Sequence, residues 1–590
     1  MNMYRERIIM NKTGTVLTAF TMIISIVLCG CNVSVNAIRE GKAPSLQQND
    51  ASLTEGEYPF YLASVDNEST IKLYFADEGR DIPYIDIDDA AKLLERAYHE
   101  MNMDEGVKMT VSYDGNIATL TRENSHTMHI DPDNDVISFE DYDSFFAPSW
   151  AKTTIDTLEH YGTIDYLQID DDGTYSISGS EVAINTGDYG IDILGNDGKC
   201  YVPLQTFSDI ALSLSCYTNL IYNGEAVYAP EYSMEDNRDF ISKSYSVGKG
   251  ERSSALAEFT YNELCMTMDC FYGLKDHEKI ESFDDYFANT GLKERLLSED
   301  PEESGAALAD FLHVKIDDLH SFYMSNSYLL GEDFDPYKNF GKSYNTYIAT
   351  LERLRKARSE KYPDGVPGYE ETGNTAYVTF DQFDELKKGA DYYKDPPTAD
   401  TKDPVGLLLY SFGQITRDDS PVENVVFDLS LNGGGDQTTT CFMLSMILGG
   451  SYMVVEDTLT GAYVCESFKA DANLDGVFDE KDSLSDYNLF CIISPISLSC
   501  ANLAASELKD SNKVTMIGQT SAGGTCIVVP FSLADGTIFR VSSIRRLSTL
   551  RNGALYDIDR GIEPDVYIGK PSVFYDREVL TRLINSDLYQ

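Results

Sequence analysis

The chain has 590 residues, and its 46 basic and 97 acidic side chains give a formal net charge of −51 at pH 7. A chain of this length is expected to form more than one domain. So negative a chain is repelled by phosphates, and we therefore expect no nucleic-acid partner. The charge is spread along the chain, which indicates a solvated surface and leaves room for divalent cations.

The N-terminus has the pattern of a targeting segment. Three basic residues within the first twelve precede an apolar run, 16–28, that is too short to span a membrane comfortably. The run ends in Leu28-Cys29-Gly30-Cys31, which resembles the bacterial lipobox. This resemblance implies a signal peptide of residues 1–31 and a lipid on Cys31, so that the mature chain is anchored at the extracytoplasmic face of the cell membrane. An ordinary cleaved signal peptide or an uncleaved anchor is the alternative.

Residues 32–57 are polar and predict a tether, and short β-like runs with Asn, Asp and Gly turns then predict a β-rich α+β domain over 58–235. Two segments within it, DIPYIDIDDAAKLL (81–94) and CYVPLQTFSDIAL (200–212), each place proline in a short strand that leads into a helix. They resemble the repeated unit of the copper amine oxidase N-terminal-like domain, a stalk module of bacterial surface proteins. The resemblance implies no copper site, and an unrelated α+β domain is the alternative.

A polar linker is predicted over 238–252, followed by a helical region, 253–345, and a second domain over 370–580. Nine cysteines follow the predicted signal peptide, mostly in apolar runs. Their odd number and setting favour buried free thiols over a disulfide framework, with Cys200 and Cys216 as the one candidate pair.

Most of the chemistry lies in three segments of the second domain: VVFDLSLNGGGD (425–436), LFCIISPISLSCANLAASELKD (489–510) and KVTMIGQTSAGG (513–524). Each is an apolar run that ends in a turn rich in glycine or serine. In the middle segment, Ser499 follows a buried strand and precedes a helix predicted over 500–510, so free N–H groups and the helix dipole favour an oxyanion there. A glycine run lets the backbone approach a reacting carbonyl closely. Together they indicate acyl transfer, although a serine that merely caps the helix is the alternative.

Five ordered segments carry a family resemblance. DLSLNGGGD, SLSCAN and GQTSAGG, together with KIDDLHSFY upstream and GIEPDV downstream, resemble segments of the tail-specific, or C-terminal processing, serine peptidases. Relatives of that family include tricorn protease and the retinoid-binding-protein repeats. The resemblance implies an α/β, crotonase-like catalytic domain with a helical subdomain. It also implies hydrolysis of polypeptides, with Ser499 as nucleophile and His320 as the family histidine.

The sequence departs from the family at Ser430, which replaces an arginine, at Leu319, which replaces a glycine, and at Gly524, which stands where the processing peptidases carry a lysine base. No lysine lies between Lys513 and Lys570. We therefore expect no Ser–Lys dyad. About 55 residues separate His320 from the next predicted strand, which is too short for the PDZ domain usual at this position.

These departures favour the tricorn-like branch, which uses serine, histidine and an acid. Histidine, with an ordinary pKa near 6.5, suits the role of base at neutral pH, although a structural histidine is the alternative. Asp557 and Asp559 are both candidates for the acid, with a slight preference for Asp559. Cys500 N–H and a glycine N–H, from Gly434 or Gly435, are the candidate oxyanion donors. Cys500 itself as nucleophile is a less favoured alternative.

The segment DANLDGVFDEKD has the spacing of a calcium loop. Oxygen-bearing side chains fall at positions 1, 3, 5, 9 and 12, and glycine falls at the sharp turn. The predicted ligands are Asp471, Asn473, Asp475, Asp479 and Asp482. We expect no cofactor for catalysis and a structural Ca²⁺ here; an acidic surface loop is the alternative.

The sequence therefore predicts a lipid-anchored serine peptidase at the cell surface, with polypeptides as substrates and the membrane as a partner. Two other functions stay open. One is a catalytically inactive binding protein that keeps the peptidase fold, and the other is a surface scaffold whose stalk does the work. An intact pair of Ser499 and His320 favours the enzyme, and the missing lysine is the strongest argument against it.

Overall fold

The computed structural model describes residues 53–63, 69–76, 79–100, 106–123, 125–148, 151, 153–155, 165–230, 238–387 and 389–586. The predicted signal peptide, its Cys31 and the tether up to residue 52 lie outside these residues. The first strand begins at Thr54, inside the predicted tether, because Thr54 to Phe60 pair continuously with the second strand.

Many of the strands are rich in β-branched and aromatic residues, and turn-forming residues lie between them, as β-propensity leads one to expect. In chain order they are β1 (Thr54–Leu62), β2 (Ser69–Phe75), β3 (Tyr84–Asp86), β4 (Met109–Asp114), β5 (Ile117–Arg122), β6 (His126–Asp131), β7 (Val136–Phe139), β8 (Leu167–Ile169), β9 (Tyr175–Ile177), β10 (Val182–Asn185), β11 (Leu194–Asn196), β12 (Lys199–Pro203), β13 (Ile221–Tyr222), β14 (Val227–Ala229), β15 (Phe322–Ser325), β16 (Tyr369–Thr372), β17 (Thr375–Thr379), β18 (Asn424–Asp428), β19 (Ser451–Asp457), β20 (Tyr463–Ala470), β21 (Asn488–Ile493), β22 (Val514–Gly518), β23 (Cys526–Ser532), β24 (Ile538–Arg551), β25 (Ala554–Asp557) and β26 (Val566–Tyr567).

Many of the helices begin at an aspartate or serine whose side chain accepts a hydrogen bond from the first turn, as Asp403 and Asp436 do. The α-helices are α1 (Ile87–Glu100), α2 (Tyr142–Phe146), α3 (Leu204–Phe207), α4 (Ser213–Cys216), α5 (Arg238–Ser242), α6 (Ser254–Phe271), α7 (Phe283–Thr290), α8 (Lys293–Leu296), α9 (Pro301–Asp310), α10 (Lys342–Lys361), α11 (Pro404–Ile415), α12 (Gln437–Leu448), α13 (Cys500–Asp510), α14 (Pro571–Phe574) and α15 (Arg577–Ile584). Two short π-helices, Ser208–Leu212 and Phe311–Lys315, extend α3 and α9.

Two sheets lie in the N-terminal half. One has the order β11-β12-β3-β2-β1-β14-β13, and the other is an antiparallel meander in the order β10-β7-β6-β5-β4. Every second residue of β5 is buried, because one face of the meander packs on a core that it shares with α1. The same core continues into α6, α7 and strands β23 and β24.

A third sheet joins the two halves of the chain. Its order is β15-β24-β19-β20-β8, with β23 and β25 also on β24 and β9 also on β20. Since β8 and β9 belong to the predicted stalk-like region 58–235, that region is not detached from the second domain. Helix α5 also occupies part of the predicted linker, 238–252. The likeness to a copper amine oxidase stalk module stays a prediction.

The fourth sheet is mainly parallel, in the order β16-β17-β18-β21-β22-β26. Its central strand β18 is buried along its whole length, as expected of a parallel strand covered on both faces. Helices α11, α12 and α13 cover one face, and α10, α14 and α15 cover the other. The α/β class predicted from the sequence is confirmed, whereas the crotonase-like arrangement stays a prediction.

Cys200 and Cys216 are both free and buried, so the predicted pairing is wrong. Each thiol packs in the apolar core of the N-terminal sheets. No helix among the described residues is long and apolar enough to cross a membrane.

Candidate active site

The three segments singled out in the sequence follow three neighbouring strands. β18 pairs in parallel with β21, and β21 pairs in parallel with β22. Parallel neighbours end at the same edge of a sheet, and the turns after their carboxyl ends therefore meet there. The parallel sheet thus brings the glycine run, the serine turn and the second glycine turn together.

Ser499 lies between this sheet edge and α13, which begins at Cys500 and ends at Asp510 as predicted. Its backbone has a φ of 57° and a ψ of −124°, a region that residues with a side chain seldom occupy. Such a conformation costs on the order of 1–3 kcal/mol and persists only where its surroundings impose it. The Ser499 side chain makes no capping hydrogen bond to α13, so the interpretation as a capping serine is wrong.

Hydrogen bonds from neighbouring serines hold this turn in place. Ser494 Oγ donates to the carbonyl of Ser430 at 2.6 Å, and Ser497 Oγ donates to the carbonyl of Leu429 at 2.7 Å. Ser499 N–H donates to the carbonyl of Gly523 at 2.9 Å. The serine turn is therefore tied to both glycine turns.

Gly434 packs directly on the serine. A Cβ on Gly434 would lie 2.7 Å from Ser499 Cβ and 3.1 Å from Cys500 N, and its φ of 99° also favours glycine. Its own N–H donates to Asn432 Oδ1 at 2.9 Å. Within the described part of the chain no acceptor is recorded for the Cys500 N–H. Of the predicted oxyanion donors, Gly434 N–H is already bonded to Asn432, whereas Cys500 N–H and Gly435 N–H have no recorded acceptor among the described residues.

The Cys500 thiol is fully buried, and burial raises its pKa to about 12. A thiolate is the nucleophilic form of cysteine, and this thiol stays protonated at neutral pH. The Cys500 alternative for the nucleophile is therefore not supported by its environment.

His320 lies beside the second glycine turn. A Cβ on Gly524 would lie 3.3 Å from His320 Cε1 and 2.5 Å from Leu498 Cδ1. Leu498 in turn forms a bridge with Gly523 directly before Ser499. The position at which the processing peptidases carry their lysine therefore lies against the imidazole.

Burial lowers the pKa of His320, and the nearby carboxylates of Asp318 and Asp559 only partly offset this. The ring is therefore neutral at pH 7, as a base must be. His320 Nδ1 is buried without a hydrogen-bond partner. Within the described residues no hydrogen bond joins His320 to Ser499 Oγ, although both residues lie around Leu498 and Gly524.

Asp559 lies near His320, but both candidate acids contact another residue, His277. Asp557 Oδ2 is 2.9 Å from His277 Nε2, and Asp559 Oδ2 is 3.5 Å from His277 Nδ1. Asp559 also accepts hydrogen bonds from the N–H and Oγ1 of Thr525. Hydrogen bonding to Asp557, and then to Asp559, raises the pKa of His277 to about 10.

Sequence reasoning did not single out His277. It lies in the turn between α6 and α7, outside every family-like segment, and only the small number of histidines could have drawn attention to it. The structure places it at the site because Gly273, in the same turn, packs against the carbonyl of Ser543 on β24.

The predicted calcium loop lies between β20 and β21. Asp471 is buried and accepts hydrogen bonds from Gly476 N–H and Tyr393 Oη, while Asp482 accepts from the N–H groups of Ala472 and Asn473. The loop therefore folds around carboxylates from its two ends, a donor chemistry that fits a hard cation. In the part of the chain that is described, no three acidic, His or Cys side chains converge as a metal site would require.

A serine held in a strained strand-to-helix turn, with glycines packed on it and a neutral histidine nearby, is typical of serine hydrolases. Residues 374–568 match the sequence model of peptidase family S41. This segment is similar to that family of serine peptidases. It includes Ser499, both candidate acids and the glycine turns, whereas His320 and His277 lie before it.

Solved structures resemble parts of the chain. One is a photosystem II D1 C-terminal processing protease, with 23% identity over 36% of this chain and 47% of that one and a TM-score of 0.27. A lipoprotein from Streptococcus agalactiae has 15% identity over 56% of this chain and 98% of that one, with a TM-score of 0.33. Mature CPAF has 11% identity over 56% and 99%, with a TM-score of 0.36. The chain thus spans about half of the photosystem II protease. No curated protein sequence matches this chain.

Proposed function

We propose that the protein is a serine endopeptidase that hydrolyses polypeptides at the cell surface through an acyl-enzyme on Ser499, with His320 as base. The single observation that supports this most is the strained backbone of Ser499, held at the N-terminus of α13 against Gly434. Strain of this kind is found where it serves a mechanism.

In the proposed reaction, His320 accepts the hydroxyl proton while Ser499 Oγ attacks the carbonyl carbon of the substrate. The carbonyl oxygen becomes an oxyanion, to which Cys500 N–H donates. The C–N bond then breaks as His320 returns the proton to the leaving amine. Water, deprotonated by His320, hydrolyses the ester and restores the Ser499 hydroxyl.

The acid has a supporting role. The carboxylate of Asp559 favours the protonated form of His320 from nearby and is kept in place by Thr525. Catalytic hydrogen bonds often tighten only when substrate binds, so the missing contact between Ser499 and His320 does not exclude the reaction. The location of His320 beside Gly524 supports a tricorn-like branch without the family lysine.

A fluorophosphonate probe, which labels activated serines, tests the proposal on the purified full-length protein. We expect labelling of the wild-type protein and none of Ser499→Ala. Ser511→Ala, at the opposite end of α13, is the matched control and should be labelled normally. Equal labelling of all three proteins would contradict the assignment.

A binding protein without catalysis is the second candidate. It is favoured by the partnerless Nδ1 of His320 and by the contacts of both acids with His277. In that case no probe labelling should occur, and the wild-type protein should bind unfolded polypeptides as tightly as Ser499→Ala without cleaving them.

The cell-surface location rests on Cys31, whose Leu-x-Gly-Cys setting is the basis for lipidation. Cys31→Ser should release the protein from the membrane fraction or block its maturation, because the lipid is the only proposed hold after signal cleavage. Unchanged fractionation and an unchanged mass would exclude lipid on Cys31. A structural Ca²⁺ in the loop of residues 471–482 completes the proposal and is tested below.

A further inference from the structure

Helix α10 has an unusual charge for this chain. Its 20 residues carry six cationic and two anionic side chains, although the whole chain has a net charge of −51. A local positive surface on a strongly negative protein attracts an anionic ligand to that part of the molecule.

The helix packs beside the candidate active site. Tyr347 Oη lies 3.6 Å from the position of a Cβ on Gly433, next to the glycine that touches Ser499. Leu354 is buried in one apolar cluster with Leu431, from the glycine segment, and Ile496, from the serine turn. The apolar face of α10 therefore rests on both turns of the site.

Two cations of the helix have structural partners. Arg358 makes a two-pronged hydrogen bond to Asp381 at 2.6 and 2.5 Å, and the carbonyl of Asp381 accepts the Gly433 N–H at 3.1 Å. Lys361 pairs with Asp576 at 2.6 Å. These contacts fix the helix relative to the glycine turn.

Among the described residues the other four cations have no such partner, and three of them lie together in the C-terminal half of the helix. Arg353, Arg355 and Lys356 are exposed, and within the described residues no carboxylate is recorded in ion-pair distance of them. Burial raises the pKa of Tyr347, and the positive charge of Arg355 opposes that rise, which places Arg355 within electrostatic reach of the site. Their charge is therefore available to a ligand that enters from this side.

We propose that Arg353, Arg355 and Lys356 bind an acidic segment of the polypeptide substrate. This rests on the proposed peptidase function and adds a substrate class to it. Arg355 lies eight residues beyond Tyr347, or about 12 Å along the helix. An extended peptide advances about 3.3 Å per residue. The preferred acidic residues should therefore lie about four to six residues from the cleaved bond.

The experiment compares matched fluorogenic peptides, one with two Glu residues at that distance and one with Gln in their place. For the full-length protein at low salt, we expect KM for the acidic peptide to be about tenfold lower with kcat unchanged, and the difference to shrink at 0.5 M NaCl by screening. The triple variant Arg353→Glu, Arg355→Glu, Lys356→Glu should prefer the Gln peptide. Lys108→Glu changes an exposed lysine directly before β4; it is the control and should keep the wild-type preference.

Labelling of Ser499 by the fluorophosphonate probe distinguishes failure of the acidic-substrate proposal from failure of the proposed peptidase function. Labelling and cleavage without any preference between the peptides, or a preference that the triple variant retains, would overturn the acidic-substrate proposal alone. Absence of both labelling and cleavage would overturn the peptidase function and with it this inference. If the triple variant were poorly folded, the milder Arg355→Gln should still raise KM for the acidic peptide about threefold and leave KM for the Gln peptide unchanged.

Discussion

At the scale of single residues, the backbone conformation of Ser499 is set by its surroundings. A serine gains nothing from a φ of 57°, and the hydrogen bonds of Ser494, Ser497 and Gly523 impose it. The same arrangement leaves Ser499 Oγ without a capping bond and brings Gly434 against its Cβ. The backbone strain and the uncapped hydroxyl therefore have one cause.

Two substitutions of Ser499 should separate chemistry from strain. Both Ser499→Ala and Ser499→Gly should abolish peptide hydrolysis. Glycine tolerates a positive φ, so Ser499→Gly should be more stable than Ser499→Ala by about 1 kcal/mol, as measured by urea unfolding. Equal stabilities would mean that the turn relaxes and stores no strain.

The proposed base, His320, predicts how peptidase activity depends on pH. Burial lowers the pKa of His320, and a base acts only when neutral. Activity should therefore be constant around pH 7 and should fall only as the pH drops below the ordinary histidine value of about 6.5. We expect His320→Ala to lower kcat by about 10³-fold or more. A variant that keeps most of its activity would identify another base, and His277→Ala is the control for general damage to the site.

Asp559→Asn and Asp557→Asn distinguish the two candidate acids, because only the residue that supports His320 should have a large effect on kcat. Each carboxylate also contacts His277, and thermal unfolding must therefore be measured beside the kinetics. Equal and small effects on kcat would remove both residues from the proposed mechanism.

His277 should contribute stability that depends on pH. Its pKa is raised to about 10 by Asp557 and Asp559, so its stabilising effect is complete below about pH 6.5 and is lost as the pH rises through 10. The free energy of unfolding of the wild-type protein should exceed that of His277→Gln most between about pH 5 and 6.5. The difference should vanish above pH 10. A difference independent of pH would show that the imidazole is not charged in the folded protein.

At the scale of elements, the order of the parallel strands brings the site residues together. Strands β18, β21 and β22 each end in a turn with site residues, and their adjacency places these turns together. The predicted calcium loop lies just before β21, so the order of this loop affects the strand that leads to Ser499.

Calcium should stabilise this element without entering the chemistry. Because Asp482 replaces the bidentate glutamate, we expect one Ca²⁺ with a Kd on the order of 10⁻⁴ to 10⁻³ M. Binding to the folded state alone should raise Tm. Asp475→Ala should abolish the rise, whereas Asp419→Ala, on an exposed loop, should retain it. If calorimetry shows no calcium uptake at millimolar concentration, the segment is only an acidic loop.

At the scale of the whole molecule, one buried charge cluster joins the halves of the chain. Arg545 on β24 lies 2.9 Å from Asp143 in α2 and 3.3 Å from Asp457 on β19. Both carboxylates are almost fully buried. Together with the pairing of β8 and β9 to β20, this cluster couples the N-terminal sheets to the sheet that carries β25 and the candidate acids.

Arg545→Met should therefore destabilise both halves together, by about 3–5 kcal/mol, because it leaves two buried carboxylates without their cation. Arg582→Met removes an exposed ion pair with Glu578 and should change stability by at most about 1 kcal/mol. Chemical unfolding followed by near-UV circular dichroism is the measurement. Two separate transitions in the Arg545 variant would show that the halves are independent.

Much of the site follows from sequence because its signals are local. An apolar run, a Pro/Ser turn and a helix pattern place Ser499 at a helix N-terminus, and the structure has that helix at the predicted residues. The glycine run and the α/β class follow from equally short stretches. Local patterns of this kind depend on backbone geometry within a few residues, which the sequence itself dictates.

The rest is decided by contacts between distant residues. The closeness of His277 to Asp557 and Asp559, across about 280 positions of the chain, arises because the turn after α6 packs on β24. The same holds for β8 and β9, which read as part of a separate stalk but pair with β20, and for Cys200 and Cys216, whose thiols stay apart. The sequence by itself determined the strand and helix ends around Ser499, whereas only the tertiary structure decided which ends meet, because long-range packing has no local pattern.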